Sequence, residues 1–302
     1  MKTSPAVAPG AGARTVPLLV RLRALRPSLS PAEDRVAERV LADPRGTAEL
    51  TISKLATEAA TSETTVLRFC RRLGLTGYPR LRLALAAESA QSRALSLSQT
   101  DISAGDTLDD VVRKIALADA SAVEETAQQL NRDILAETAR IIERAVRVDV
   151  YGSGASALVG ADLQQKLHRI GCLAFVWSDP HLALTSAALL GPRDIAIGIS
   201  HSGTTRETIE AIVTAKANGA HAVAITNFPL SPLARAADRV LTTAARETAL
   251  RSGATASRIA ALTVVDCLYI AVAQRNLRKA RSAVKSTRDA VSSHHVVNDS
   301  RH

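Results

Sequence analysis

Between Asp194 and Thr208 the chain reads Asp-Ile-Ala-Ile-Gly-Ile-Ser-His-Ser-Gly-Thr-Thr-Arg-Glu-Thr, and here its hydroxyl groups crowd together. Ser200, Ser202, Thr204 and Thr205 surround Gly203, with His201 among them and no carboxylate before Glu207. Ile195, Ile197 and Ile199 ahead of them form a β-branched run of strand length, while Ile209, Ile212 and Val213 behind them keep helical spacing. A strand, a tight loop and a helix are therefore expected. Such a loop aims backbone N–H groups and the positive end of a helix dipole at one point, and neutral hydroxyls add donors without adding negative charge. The chemistry that fits is phosphate binding without a lysine. The same residues are also ordinary helix-start residues, with Thr204 or Thr205 as an N-cap, and on this stretch alone the two readings stand level.

The elements that must position this loop alternate from Val146 onward. Strands are expected at Val148 to Tyr151, Leu173 to Val176, Ile195 to Ser200, Ala222 to Thr226 and Arg239 to Leu241. Helices are expected to start near Ala155, His181, Thr205 and Pro232, and a long Ala-rich one to run from Ala254 to Ala273. This alternation predicts a three-layer αβα unit on a five-stranded parallel sheet, with ligands beyond the carboxyl ends of the strands. Gly152, Ser153 and Gly154 follow the first strand. They admit a dinucleotide-binding reading as Gly-x-Gly-x-x-Ala, but the position for a ribose-holding acid falls at Gly171 and Cys172, and Asp179 lies too far on. Two Ala-rich helical patterns, Leu108 to Leu130 and Ile134 to Ala145, precede the sheet.

At 302 residues the chain is long enough for two domains, and its +9 net charge is uneven. Residues 1 to 100 carry 15 Lys and Arg against 8 Asp and Glu, so a polyanion partner is expected at this end. Ser30-Pro31-Ala32-Glu33 marks a helix start with a capping serine. From Ile52 to Gly74 two short helices are implied, with Ser62 capping the second and Leu55, Ala59, Val66, Phe69 and Leu73 facing inward. Thr64, Thr65, Arg68, Arg71 and Arg72 are left outside. That face suits the major groove of DNA, and it equally suits plain solvated surface. From Tyr78 a further helix is expected to pack Leu81, Leu83, Leu85 and Ala86 against this bundle.

The words from Leu55 to Tyr78, Leu-Ala-x-x-Ala-x-x-Ser-x-x-Thr-Val-x-Arg-Phe-Cys-Arg-x-Leu-Gly-x-x-Gly-Tyr, resemble the helix-turn-helix of RpiR-family bacterial regulators. The turn departs from the family in carrying Ala60-Thr61 where a glycine is usual. Ser-x-Ser-Gly-x-Thr-x-Glu-Thr, from Ser200 to Thr208, resembles the signature loop of sugar isomerase (SIS) domains, and the order of the two domains is that of the RpiR family. The resemblance implies an all-α helix-turn-helix bundle followed by an α/β SIS domain, and a DNA-binding regulator that senses a phosphosugar in carbohydrate or amino-sugar metabolism. It implies Ser62, Thr64, Thr65, Arg68, Arg71 and Arg72 at the DNA. At the sugar phosphate it implies Gly152, Ser153, Ser200, His201, Ser202, Thr204, Thr205, Glu247 and Ser252, with Glu247 at the ring-opening or hydroxyl end. The alternative is a phosphosugar isomerase or lyase with Glu247 as base. Only one plausible base is evident, and an isomerase has no use for the Arg-rich helices. Glu247 reads equally as an exposed loop acid.

The expected organisation is a disordered tail (1–16), a DNA-binding domain (17–90), a linker (91–106), a SIS domain (107–275), and a C-terminal helix and tail (276–302). No cofactor is expected beyond a phosphosugar effector, and the partners expected are operator DNA and a second or further copies of the chain, as homodimer or homotetramer. Cys70, Cys172 and Cys267 lack disulfide or zinc spacing, and the adjacent His294 and His295 face apart on any regular element. No uninterrupted apolar run approaches the ~18 residues of a membrane span, nor is there a secretory signal, so a cytoplasmic protein without a membrane partner is expected.

Overall fold

The computed structural model describes residues 17–91, 102–247 and 256–291. The expected tail (1–16), most of the linker, Ser252 and residues 292–302 lie outside the described residues. The N-terminal bundle comprises α1 (Leu18–Leu25), a 3-10 turn (Arg26–Ser28), α2 (Pro31–Ala42), α3 (Pro44–Glu49), α4 (Ile52–Glu58), α5 (Glu63–Arg72) and α6 (Tyr78–Gln91). Ser30 and Glu33 close the expected capping box around Pro31. Asp43-Pro44 ends α2 and also begins α3: the Asp43 carboxylate accepts the Gly46 N–H at 2.8 Å, and proline suits the first helical position. Leu55, Ala59, Val66, Phe69 and Leu73 are buried together with Leu81 and Leu85. Leu83 and Ala86, expected to pack inward, face solvent instead, because α6 buries the face that carries Leu81 and Leu85.

The turn between α4 and α5 shows what the missing glycine costs. Ala60 has φ +47°, the one positive φ outside glycine among the described residues. An L-residue pays roughly 1–2 kcal/mol for that conformation. Arg35 holds the strained turn from α2, with its guanidinium donating to the carbonyls of Ala59 (3.0 Å) and Ala60 (2.8 Å).

The second unit opens with α7 (Leu108–Gln129) and α8 (Arg132–Arg144) and continues as β1 (Val148–Tyr151), α9 (Ala155–Arg169), β2 (Ala174–Trp177), α10 (Pro180–Ala187), β3 (Ile195–Ile199), α11 (Arg206–Ala217), β4 (His221–Thr226), α12 (Pro232–Ala236), β5 (Arg239–Thr242), α13 (Ala256–Arg275) and α14 (Leu277–Val291). The five strands are parallel in the order β2-β1-β3-β4-β5, with Ile197 of β3 opposite Val150 of β1 and Val223 of β4.

Side-chain size divides the two faces. Ile195, Ile197 and Ile199 meet α9 and α13, with α8 beside them, in the larger core. The alternate residues Ala196, Gly198, Ala222 and Ala224 are small, so α10, α11 and α12 lie close on the other face. A Cβ on Gly198 would stand 2.7 Å from Ile212 Cγ1, so α11 can sit where it does only over glycine. Among the described residues one helix, α13, is long and apolar enough to cross a membrane. Here it is a packing helix against α7, α8 and α9, with Ala260, Val264, Val265 and Leu268 buried.

Candidate functional site

Strand β1 lies beside β3 while their following helices leave to opposite faces, so the loops after these strands border the crevice where such sheets bind ligands. The loop after β3 is braced from within. Ser200 is buried, its Oγ lies 2.8 Å from Thr205 Oγ1, and it accepts the Gly203 N–H at 3.1 Å. Ser202 and Thr204 are exposed and their hydroxyls lie 2.8 Å apart. Thr205 is the N-cap of α11 yet makes no side-chain cap bond, so the helix start keeps its N–H groups for another acceptor. Gly203 (φ +65°) presses the loop onto the N-cap of α12: a Cβ there would overlap Ser231 and stand 2.9 Å from Thr226 Oγ1.

His201 is mostly buried, with Phe228 edge-on at 5.6 Å between centroids and Glu247 Oε2 3.9 Å from Nε2. Burial lowers its pKa and the nearby Glu247 only partly opposes this, so the imidazole is neutral at neutral pH. Among the described residues its buried Nδ1 has no hydrogen-bond partner. His201 therefore offers a hydrogen bond to a hydroxyl rather than a charge to a phosphate. It lines a shallow hollow with Ser156, Thr226, Thr243, Ser257 and Arg258.

All five of these companions of His201 lie outside the expected ligand set, and Ser156 and Arg258 show why. Ser156 sits in the first turn of α9, and its signal was the serine two residues past Gly154. Arg258 stands in the first turn of α13, inside an Ala-rich pattern that gave it no distinguishing mark. Gly152 and Ser153 instead line a second, smaller hollow with Trp177, Asp179, Glu207 and Thr208. Beneath it the buried Asp149 fixes Tyr151 and Trp177, accepting from the Tyr151 hydroxyl (3.1 Å), Trp177 Nε1 (2.9 Å), Ser186 and Arg147. His201 of the hydroxyl loop thus meets Glu247, with Ser156 rather than Ser153 on the hollow beside it, whereas Ser200, Ser202, Thr204 and Thr205 line neither hollow. Ser252 lies outside the described residues.

At the other end, α5 presents Thr64, Arg68, Arg71 and Arg72 to solvent. Thr65, expected on that face, is buried: its hydroxyl turns back to Ser62 Oγ at 3.0 Å, and Ser62 caps α5 through the Thr65 N–H. Arg68 and Arg72 are not free-standing. Both reach Glu33 Oε1, at 3.1 and 3.7 Å, and Arg72 also donates to the Ser28 carbonyl. Glu33 is 1% exposed. Burial raises its pKa, but hydrogen bonds from Ser30 and the charges of Arg72 and Arg68 outweigh that and leave it below the usual carboxylate range. One buried anion therefore orders two arginines on the outer face of α5, with Arg71 beside them.

Comparison with known proteins agrees with both ends. The SIS domain family matches residues 141–271, and the helix-turn-helix domain of the rpiR family matches residues 16–92. The chain is 38% identical over 282 residues to an HTH-type transcriptional regulator of Caldanaerobacter subterraneus subsp. tengcongensis, covering 93% of this chain and 99% of that one. It is 31% identical to the HTH-type transcriptional regulator RpiR of Escherichia coli K12, covering 88% of this chain and 89% of that one. Among solved structures, the Vibrio vulnificus NanR protein complexed with ManNAc-6P superposes with a TM-score of 0.60 at 31% identity, covering 93% of this chain and all of that one. Relatives matched along nearly the whole chain are regulators, which favours that role over the isomerase alternative. With its two-helix reading head and its SIS domain in one polypeptide, the chain belongs to the RpiR family of HTH-type transcriptional regulators.

Proposed function

We propose that this regulator binds a phosphosugar in the crevice of its SIS domain and that occupancy alters its hold on operator DNA. The observation that carries the reading is the loop Ser200–Thr205, where hydroxyls and free helix-start N–H groups converge with no carboxylate among them. Ser200, Ser202, Thr204 and Thr205 take the phosphate, while His201, Ser156 and Glu247 face the sugar hydroxyls. Neutral His201 suits that division, since an imidazole that is not charged pairs with hydroxyls and leaves the dianion to the loop. The NanR relative was solved with an amino-sugar 6-phosphate, which places N-acetylated hexosamine 6-phosphates first among the effectors to try. No cofactor is needed for this role.

Reading a two-part operator needs two copies of α5, so the protein acts at least as a dimer, in the cytoplasm with its DNA. An exposed apolar stripe on α7, Leu108 (84% exposed), Val112 (68%) and Ile115 at helical spacing, supports assembly through the SIS half. A thermal-shift panel of sugar phosphates on the full-length protein tests the reading, since ligand binding raises apparent stability by mass action. N-acetylmannosamine 6-phosphate or another phosphorylated sugar should raise the melting temperature while its unphosphorylated parent does not. No shift from any member at millimolar concentration overturns the reading.

A further inference from the structure

A chain of named contacts joins the sugar crevice to the DNA-binding bundle. Asn227, just past β4, donates its backbone N–H to the His201 carbonyl at 3.1 Å, so it sits directly behind the hydroxyl loop. Its side-chain Oδ1 accepts from Thr243 Oγ1 (3.2 Å) and from the Ala245 N–H (2.8 Å). Residues 243–246 are gripped from their other side by α7. Thr126 Oγ1 bonds both the N–H and the carbonyl of Ala244, and Gln129 Nε2 donates to the Thr243 carbonyl at 3.2 Å. This strap ends in Arg246, next to Glu247 of the crevice.

Arg246 and Arg23 then share one carboxylate. Glu125 of α7 accepts from Arg246 Nη2 at 2.7 Å through one oxygen and from Arg23 Nη1 at 3.0 Å through the other. Arg23 belongs to α1, and α1 is held to the bundle by Glu88 of α6, whose carboxylate accepts the Leu18 and Leu19 N–H groups. Glu125 is 18% exposed and Arg23 21%, so neither is a loosely hydrated surface group. Burial first, and then repulsion from Arg246, pull the Arg23 pKa down to about 10, despite Glu125. The junction is also under-satisfied. Among the described residues Gln129 Oε1 and Arg246 Nε are buried without a hydrogen-bond partner, beside a hollow lined by Val20, Arg23, Glu125 and Asn227. Two cations on one anion with unfilled polar atoms around them is an arrangement that a small displacement of the strap can tip.

We propose that Glu125 is the coupling residue of this regulator: a sugar phosphate engaging His201 and Glu247 shifts the strap, redistributes Glu125 between Arg246 and Arg23, and so changes how α1 and the bundle behind it are seated. This rests on the phosphosugar reading above and adds its route. The state with Arg23 on Glu125 and the state without it differ in the placement of the bundle, which is the differential contact that any ligand-driven change of DNA affinity requires.

The test is a coupling measurement on the full-length protein. DNA affinity, for the tightest duplex recovered from a random library, is measured with and without saturating N-acetylmannosamine 6-phosphate, or the strongest member of the thermal-shift panel if that differs. Wild type should show a ratio in the range of about 5 to 150. Arg23→Ala, Glu125→Gln and Arg246→Ala should each bring the ratio to within about twofold of one while calorimetric sugar affinity stays within about threefold, and Arg23→Ala with Arg246→Ala together should do no more than either alone. If a variant fails to fold, Arg23→Lys, which keeps the charge and loses the forked geometry, should lower the ratio instead. A coupled wild type whose variants keep the full ratio overturns the relay and leaves the phosphosugar reading standing. A wild type that binds the sugar phosphate with no change in DNA affinity overturns both the relay and the sensing role. A wild type that binds no sugar phosphate overturns the reading on which the relay rests.

Discussion

Replacing Gly203 by alanine attacks the hydroxyl loop at its one inflexible point. At φ +65° a side chain costs roughly 1–2 kcal/mol. The new Cβ also overlaps Ser231 and presses on Thr226 Oγ1 at 2.9 Å, an overpacking cost of about 1–3 kcal/mol. Together these give a loss of about 2–5 kcal/mol from the SIS domain. The chain has a single tryptophan, Trp177 on β2, so urea unfolding followed by tryptophan fluorescence reports this domain. The two contributions can be separated. Ser231→Gly removes the overlapped Ser231 atoms and weakens the α12 cap by only a few tenths of a kcal/mol; the left-handed strain and the 2.9 Å contact with Thr226 Oγ1 remain, so in its background the Gly203→Ala loss should fall toward the conformational part, about 1–2 kcal/mol. Sugar-phosphate binding should be lost in the single variant and partly restored in the double one. A Gly203→Ala loss below about 0.5 kcal/mol, or one indifferent to Ser231→Gly, would refute the claim that α12 holds the loop in shape.

Other consequences follow from the bundle. Ala60→Gly should stabilise it by about 0.5–1 kcal/mol, because relief of the left-handed strain exceeds glycine's entropy cost, and amide exchange at Val66 and Phe69 should slow accordingly; faster exchange would contradict the strained turn. The folded-state pKa of Glu33 lies below its ordinary value, so its contribution is present above that ordinary value and is lost as pH falls through the folded one. Bundle stability should accordingly fall below about pH 4.5, and Glu33→Gln should flatten that slope; an unchanged slope would mean the arginine pair does not depend on this carboxylate. Arg71→Ala should weaken binding to all duplexes and lower the salt slope by about one, whereas a change confined to one base position would assign Arg71 to base reading.

The strands were legible because β-branched runs of strand length between helical patterns are a strong local signal: β1 matches its expected span, and the others start or end within a residue. α3 was not, since Asp43-Pro44 satisfies the rules for ending one helix and starting the next alike. Leu83 and Thr65 were misassigned because helical spacing gives a periodicity but leaves open which way the element is turned, and that is decided by neighbours distant in sequence. The crevice was half legible. Its hydroxyl loop is contiguous, so local chemistry declares it, but Ser156 and Arg258 enter from helices more than forty residues to either side. Nothing local marks Glu33 as the anchor of Arg68, 35 residues on, nor Glu125 as the meeting point of Arg23 and Arg246.

The phosphate-holding loop is the claim on which the rest stands, and calorimetric titration tests it most directly. The full-length protein and its Ser200→Ala/Ser202→Ala variant would each be titrated with N-acetylmannosamine 6-phosphate, the other panel phosphates and their unphosphorylated parents. At least one phosphorylated sugar should bind wild type, and losing two charge-assisted hydrogen bonds should weaken it by about 100-fold or more in the variant. Equal binding of that sugar with and without its phosphate, or an undiminished affinity in the variant, would contradict it.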